Sequence, residues 1–106
     1  MKRGEVRWYT FKKPDKTRPV LVLTRDPALA WLGEVTVAPI TSVVRDIPSE
    51  ITLGAGDGTP RDCAVNTDHL QTVSRAKLGA VITTLSSQRM VEVQRAIAFA
   101  LGFRRE

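Results

Sequence analysis

Residues 19–24 read PVLVLT, an apolar run rich in β-branched side chains that begins at a proline. Because nearly every position is apolar, the run predicts a strand buried on both faces. The preceding stretch EVRWYTF at 5–11 alternates between two faces, and EVTVAPI at 34–40 restores the strand pattern further along. These patterns predict three successive β-strands.

Shorter strand patterns continue through the second half of the chain. They read SEITL at 49–53, CAV at 63–65, LQTV at 70–73 and LGAVITT at 78–84. After the first of them, GAGDGTP at 54–60 predicts a mobile loop, because three glycines and a proline cannot hold a strand ladder. Strand signals that recur at this spacing are typical of a small β-barrel or sandwich.

The last segment changes its period from that of a strand to that of a helix. Ser86 or Ser87 is a candidate N-cap, and Gly102 is the expected end. The apolar stripe at helical spacing consists of Met90, Val93, Ile97 and Leu101, with Arg89, Glu92 and Arg95 on the outer face. We predict an amphipathic C-terminal helix whose stripe closes the barrel or a subunit interface, in a mainly β (α+β) fold.

The chain has 106 residues with 42% hydrophobic content, which is enough for one compact domain over residues 1–106. No apolar run approaches the roughly 20 residues that span a bilayer, and the opening MKRGEVRW turns polar at once, so we expect a cytoplasmic protein. One cysteine, Cys63, and one histidine, His69, exclude an intramolecular disulfide and a Cys/His zinc site. We expect neither a metal nor a cofactor.

Charge points to the class of partner. Lysine and arginine total 16 against 11 acidic residues, a net charge of +5. This surplus favours a polyanionic partner, although a basic charge that serves only solubility is the alternative. The turn after the first strand carries four of the cations and a single acid: Lys12, Lys13, Lys16, Arg18 and Asp15. That turn is the first candidate for contact with phosphates.

Familiar catalytic motifs do not occur in the chain, which has no P-loop, HExxH or GxSxG pattern. A Cys63–His69 nucleophile pair is conceivable, but a cysteine in the strand-like CAV is normally a small buried hydrophobe. His69 alone is a second alternative, since imidazole titrates near neutrality and can act as a general base. A lone histidine beside a turn is more often a bystander.

Arg18 opens the buried strand directly after the basic turn. Its backbone is then fixed while its guanidinium can reach a phosphate, which it binds through two parallel hydrogen bonds. Thr41 and Ser42 occupy the equivalent place after EVTVAPI, where their hydroxyls could donate to the same oxygens. An arginine before a proline and a threonine that ends a strand are also common structural residues, so spacing alone leaves both interpretations open.

Several short motifs follow one another in a distinctive order. The chain carries RGEVRW at 3–8, RPVLVLTRD at 18–26, VTVAPITS at 35–42, VNTDHLQTV at 65–73 and LG at 78–79. In order and spacing they resemble the MazF/PemK family of toxin endoribonucleases, in which RG-(D/E)-V, RPxLV and a strand ending in a threonine occur in this order. The helix after LSS resembles the family's C-terminal helix, and the resemblance covers nearly the whole chain.

The resemblance implies a small SH3-like β-barrel with peripheral helices, usually a homodimer. It implies a toxin that cuts single-stranded RNA at short sequences without a metal, neutralised by an antitoxin with an acidic tail. In the family reaction, the RNA 2′-hydroxyl attacks the phosphate and leaves a 2′,3′-cyclic phosphate and a 5′-hydroxyl. By position, Arg18 matches the arginine of RPxLV and Thr41 the threonine after the third strand, which together form the family's active site.

The turn KKPDKT at 12–17 departs from the family pattern. It is shorter than in many relatives and lacks their acidic or glutamine-containing stretch, which leaves the proton acceptor open. Its lysines could instead contact RNA phosphates. The polar side chains of LQT match a family segment near the substrate and could read base edges or bond a turn. The predicted RNA contacts are Lys12, Lys13, Lys16, Ser42, Gln71 and Thr72.

Two other functions remain open on such a barrel. A non-catalytic module for single-stranded nucleic acid would expose aromatic side chains for stacking. Four of the six aromatic residues here fall in patterns that favour the core: Trp8, Phe11, Phe99 and Phe103. A toxin that inhibits DNA gyrase could share the fold, because fold does not decide function. RNA cleavage without added metal separates these alternatives.

Overall fold

Seven β-strands and a C-terminal helix make up most of the computed structural model, which describes residues 1–11 and 16–103. The strands are β1 (Glu5–Phe11), β2 (Lys16–Val22), β3 (Glu34–Thr41), β4 (Glu50–Leu53), β5 (Cys63–Asn66), β6 (Gln71–Ser74) and β7 (Leu78–Thr84). The helices are α1 (Asp26–Leu29) and α2 (Ser87–Ala100), and 3₁₀ turns occupy Ala55–Asp57, Thr67–His69 and Arg75–Lys77. The predicted strands and C-terminal helix are confirmed.

The strands form one antiparallel sheet in the order β4-β5-β3-β2-β1-β7, with β6 also paired to β3. The sheet curls into a half-barrel, and α2 packs against it through Val93 and Ala96. This architecture confirms the predicted mainly β fold with a C-terminal helix. No helix of the described residues is long and apolar enough to cross a membrane.

Strand β3 takes three partners along its length. Its first half pairs with β6 and its last two residues with β5 along one edge, whereas residues 37–39 pair with β2 along the other. The β2–β3 ladder ends where Val20 lies opposite Pro39, and no further pair joins these two strands in the described chain. Neither Pro19 nor Pro39 has an N–H that could extend the ladder.

Side chains of β2 enter two apolar clusters. One cluster contains Leu21 with Val6, Leu53, Val65 and Val93, and the other contains Val20 and Val22 with Leu29, Val35 and Val37. Successive residues of a strand point to opposite faces, so both faces of β2 are buried from Val20 onward, as predicted. The start of the strand, Lys16–Arg18, is exposed instead.

Two aromatic residues expected in the core are exposed. Trp8 is 39% exposed because β1 runs past the edge of the core that encloses Val6. Phe103 is 82% exposed, because α2 ends at Ala100 and the chain then leaves the sheet. The core expectation was therefore wrong at the ends of these elements. Leu101 of the predicted stripe is 55% exposed, which fits the subunit-interface alternative for that position.

The loop predicted at 54–60 is confirmed as a break in the strands, but it is bonded to its surroundings. Asp57 N donates to Gly54 O at 2.8 Å, which closes the 3₁₀ turn Ala55–Asp57. Arg89, predicted on the outer face of the helix, instead reaches this turn and binds the Asp57 carboxylate. The helix and the loop are therefore connected.

Leu21 offers a test of the core. We expect Leu21→Ala to lower the free energy of unfolding by about 2–5 kcal/mol, because it removes buried methyl groups and leaves a cavity. The same change at the exposed Leu101 is the matched control and should cost less than about 1 kcal/mol. Urea denaturation followed by tryptophan fluorescence measures both, and equal losses would contradict this assignment of the core.

Candidate active site

Two adjoining cavities open where the β2–β3 ladder ends. They measure about 290 and 390 Å³, and Arg18, Ile40 and Thr41 line both, forming a ridge between them. The smaller one, called the Trp8 cavity below, is also walled by Trp8, Thr17, Ser42, Thr59, Pro60, Arg61 and Cys63. The larger one, called the Gln71 cavity below, is also walled by Phe11, Lys16, Asn66, His69 and Gln71. Together the two cavities are called the β2–β3 cleft below.

The backbone brings Arg18 and Thr41 to the same ridge from different strands. Arg18 pairs with Tyr9 of β1, and Thr41 pairs with Ala64 of β5, so each is held from the side away from the cleft. Continuing the β2–β3 register would place position 18 opposite position 41. Both residues therefore border the opening left by the missing pairs.

The donors at the ridge suit an oxyanion. Val43 N donates to Thr41 Oγ1 at 3.1 Å, which fixes the hydroxyl oxygen and leaves its proton free to bond a ligand. The neighbouring Ser42 is exposed and lines the Trp8 cavity. Arg18 is exposed and forms no ion pair with a described carboxylate. A guanidinium and hydroxyls in one place can bind a phosphate through charge-assisted hydrogen bonds.

The charge of the cleft is positive. Lys16, Arg18 and Arg61 line it, and no Asp or Glu within residues 1–11 and 16–103 does. A surplus of cations among the lining residues attracts a polyanion. Over the same described ranges, no three or more His, Cys, Asp or Glu side chains are grouped so that they could hold a metal ion.

Sequence comparison gives the family. A profile described as "PemK-like, MazF-like toxin of type II toxin-antitoxin system" matches residues 2–101. The chain belongs to this toxin family. The resemblance inferred from the motifs is thereby confirmed, and nearly the whole chain lies within the match.

Individual relatives of this MazF-like chain support the same family assignment. The "Probable endoribonuclease MazF2" of Mycobacterium tuberculosis is 39% identical over 103 residues, which cover 96% of this chain and 99% of the relative. The "Probable endoribonuclease MazF5" of the same organism is 42% identical over 100 residues, 93% of this chain and 87% of the relative. The solved structure of Mycobacterium tuberculosis toxin MazF-mt6 matches with a TM-score of 0.85 and 33% identity, covering 92% of this chain and 96% of that one.

Three of the predicted RNA contacts line the cleft of this MazF-like chain: Lys16, Ser42 and Gln71. Thr72 lines neither cavity, because it follows Gln71 in β6 and successive strand residues face opposite sides. Lys12 and Lys13 lie outside the described residues. The structure thus groups part of the predicted set around Arg18 and Thr41.

Sequence patterns miss several cleft residues, among them Thr59, Asn66, Trp8 and Arg61. Trp8 shares a face of β1 with the buried Val6, so the alternation predicts a core position, yet its indole borders the cleft. Arg61 follows a glycine-rich loop that has no periodicity, and its charge is the only local signal that could have marked it. The position of Trp8 depends on how far the core extends, and the position of Arg61 depends on how the loop packs. A local sequence pattern contains neither kind of information.

Cys63 is a buried wall of the Trp8 cavity. Burial raises the pKa of its thiol, a hydrogen bond with Thr59 opposes this, and the charges of Asp57 and Asp62 raise the pKa further. His69 lines the other cavity, so the conceivable Cys63–His69 pair does not share one. The thiol is therefore a packing group and not an activated nucleophile.

The reactivity of this thiol is testable. We expect native Cys63 to react with Ellman's reagent at least about 10-fold more slowly than the urea-unfolded protein near pH 8, because only the thiolate reacts and burial disfavours it. A free cysteine has a pKa of about 8.5, so the unfolded chain supplies the control. Rapid reaction of the native thiol at neutral pH would contradict this picture and revive the nucleophile interpretation.

Proposed function

We propose that the chain, as an endoribonuclease of this toxin family, binds single-stranded RNA along the β2–β3 cleft and cleaves it at the phosphate held by Arg18 and Thr41. The observation that supports this site is the ridge, since both residues line both cavities. A phosphate on the ridge would leave space for one nucleoside on each side. An RNA chain that crosses the ridge with unstacked bases needs such an arrangement.

The proposed reaction is a transesterification within the RNA. The ribose 2′-oxygen bonds to phosphorus and loses its proton to a base, while the bond from phosphorus to the 5′-oxygen breaks and that oxygen takes up a proton. The products are a 2′,3′-cyclic phosphate and a 5′-hydroxyl. Arg18 stabilises the charge that develops on the non-bridging oxygens, and Thr41 donates a hydrogen bond to them. A guanidinium is effectively always protonated, so the main role of Arg18 is electrostatic stabilisation, and proton transfer is secondary.

The two cavities divide the recognition of RNA. In the Trp8 cavity, the exposed indole offers a platform on which a base can stack. In the Gln71 cavity, Asn66 and Gln71 can hydrogen-bond the Watson–Crick edge of an unpaired base. His69 lines the same cavity and, as an alternative to Arg18, is a candidate for the base that accepts the proton of the ribose 2′-hydroxyl. Lys16 and Arg61 contact flanking phosphates in this scheme.

A partner that silences the enzyme belongs to the proposal. The members of this family are described as toxins of type II toxin-antitoxin systems. An acidic antitoxin tail would meet the same cations as RNA and so cover the cleft. We include the lysines at 12 and 13 among those cations because they closely precede Lys16 in sequence. A homodimer and action in the cytoplasm, on cellular RNA, complete the proposal.

Substitution at the ridge tests the assignment. We expect Arg18→Lys to slow cleavage of a long RNA by at least about 100-fold, because lysine keeps the charge without the two-pronged fork. Thr41→Ala should cost about 10- to 1000-fold, and Thr41→Ser should stay close to wild type because it keeps the donor. Arg25→Lys, at an exposed position outside the cleft, is the matched control. The assay contains EDTA, and mass analysis identifies the product ends.

Other results of these experiments would support a different mechanism or a different function. Full activity of Arg18→Lys would contradict the phosphate fork, and an inactive but folded His69→Ala would move proton transfer to the Gln71 cavity. RNA binding without cleavage by the wild type would favour a binding module, for which the exposed Trp8 is the supporting observation. Gyrase inhibition without RNA cleavage would favour the third function.

Competition tests the proposed silencing. We expect labelled RNA and an acidic peptide with the sequence of an antitoxin tail to displace each other from Arg18→Ala protein, and added salt to weaken both. Charge reversal of the lysines at 12, 13 and 16 should weaken both ligands together. Reversal of three exposed cations outside the cleft is the control with equal net charge: Arg25, Lys77 and Arg95. Simultaneous binding with undiminished affinities would exclude occlusion of the cleft.

A further inference from the structure

One wall of the Trp8 cavity lies outside the strands. Thr59 and Arg61 line the cavity, and the 3₁₀ turn Ala55–Asp57 precedes them. Thr59 is buried, and its hydroxyl lies 3.0 Å from the carbonyl oxygens of both Gly54 and Arg61. The two carbonyls share the single hydroxyl proton, and Thr59 N also donates to Gly54 O at 3.5 Å, so residues 54–61 form one bonded unit.

An ion pair ties this unit to α2. Arg89 Nε donates to Asp57 Oδ1 at 2.9 Å, and Arg89 Nη2 donates to Asp57 Oδ2 at 3.2 Å. The same carboxylate accepts from Gly54 N at 3.1 Å, and Thr83 Oγ1 donates to the Asp57 carbonyl at 2.9 Å. The Asp57 side chain is 13% exposed and that of Arg89 33%, so this two-pronged contact is partly shielded from water. It fixes the turn at the point where the chain enters the cavity wall.

Neither partner of the ion pair lines the β2–β3 cleft. The other carboxylate on the guanidinium is Glu92 of the same helix, at 2.9 Å from Arg89 Nη1. The hydrogen bonds from Arg89 lower the pKa of Asp57, with burial opposing them. Because this pKa is depressed on folding, the pair stabilises the fold above the ordinary carboxyl pKa, and this contribution is lost as the pH falls through the folded value. At neutral pH the contact is complete.

We propose that Arg89 and Asp57 are positioning residues for RNA binding, which hold residues 54–61 where Thr59 and Arg61 face the substrate. The inference rests on the proposed function, since the wall matters to catalysis only if the cleft binds RNA. Arg18 and Thr41 stand on β2 and β3, outside this loop. Loss of the pair therefore weakens substrate binding and spares the chemical step.

Kinetics of Asp57→Asn test the proposal, since asparagine removes the charge but keeps an acceptor for the Gly54 amide. We expect KM for RNA to rise about 5- to 50-fold while kcat stays within about 3-fold of wild type. Glu92→Gln is the matched control, because it removes the other carboxylate from the same guanidinium and leaves the turn untouched. Amide hydrogen exchange without RNA should accelerate at residues 55–61 in Asp57→Asn and stay unchanged in Glu92→Gln.

A second variant keeps the test decisive if Asp57→Asn does not fold. Arg89→Lys keeps the charge and loses the fork, so it should raise KM similarly, and the double variant should be no worse than either single one. Unchanged KM in a folded variant, a loss confined to kcat, or an equal rise in Glu92→Gln would overturn the proposal. Failure of the proposed function shows separately, as full cleavage by Arg18→Lys, whereas hydrogen exchange reports on the ion pair without RNA.

Discussion

The end of the β2–β3 ladder is the feature on which the candidate site depends. The ladder closes with Val20 opposite Pro39, and the prolines at 19 and 39 supply no amide hydrogens to carry it further. The end of β3 is held by β5 on its other edge, so the strand keeps its course while its β2 side stays open. Polar side chains can stand at this opening without leaving strand amides buried and unbonded.

Chemistry and recognition occupy different parts of the scaffold. Arg18 and Thr41 lie on strands that are paired on their far sides, which limits their movement relative to a bound phosphate. The side chains that would contact bases, Trp8, Asn66 and Gln71, stand on other strands. Thr59 and Arg61 come from the segment between β4 and β5, which can vary without disturbing the sheet. The cleft also gathers cations with no described carboxylate among its lining residues, so its affinity is for polyanions as a class. RNA and an acidic peptide are both suitable ligands for such a surface.

Sequence patterns predicted the strands and α2 because hydrophobic periodicity is recorded in neighbouring residues. Arg18 and Thr41 could be proposed for a related reason, since each stands at the end of an apolar run. Trp8 was misplaced because alternation gives the face of a strand but not the extent of the core above it. The contact between Asp57 and Arg89 joins a loop to a helix through tertiary packing, and no local pattern encodes it.

In the proposed complex, Arg18 and Thr41 meet one phosphate of a single-stranded RNA. A crystal structure of the protein with an RNA that carries a 2′-deoxyribose at the cleavage position tests it most directly, because this RNA cannot provide the attacking hydroxyl. We expect the scissile phosphate on the ridge, with its non-bridging oxygens about 3 Å from the Arg18 guanidinium and the Thr41 hydroxyl. RNA bound with that phosphate away from the ridge, for example along α2, would contradict it.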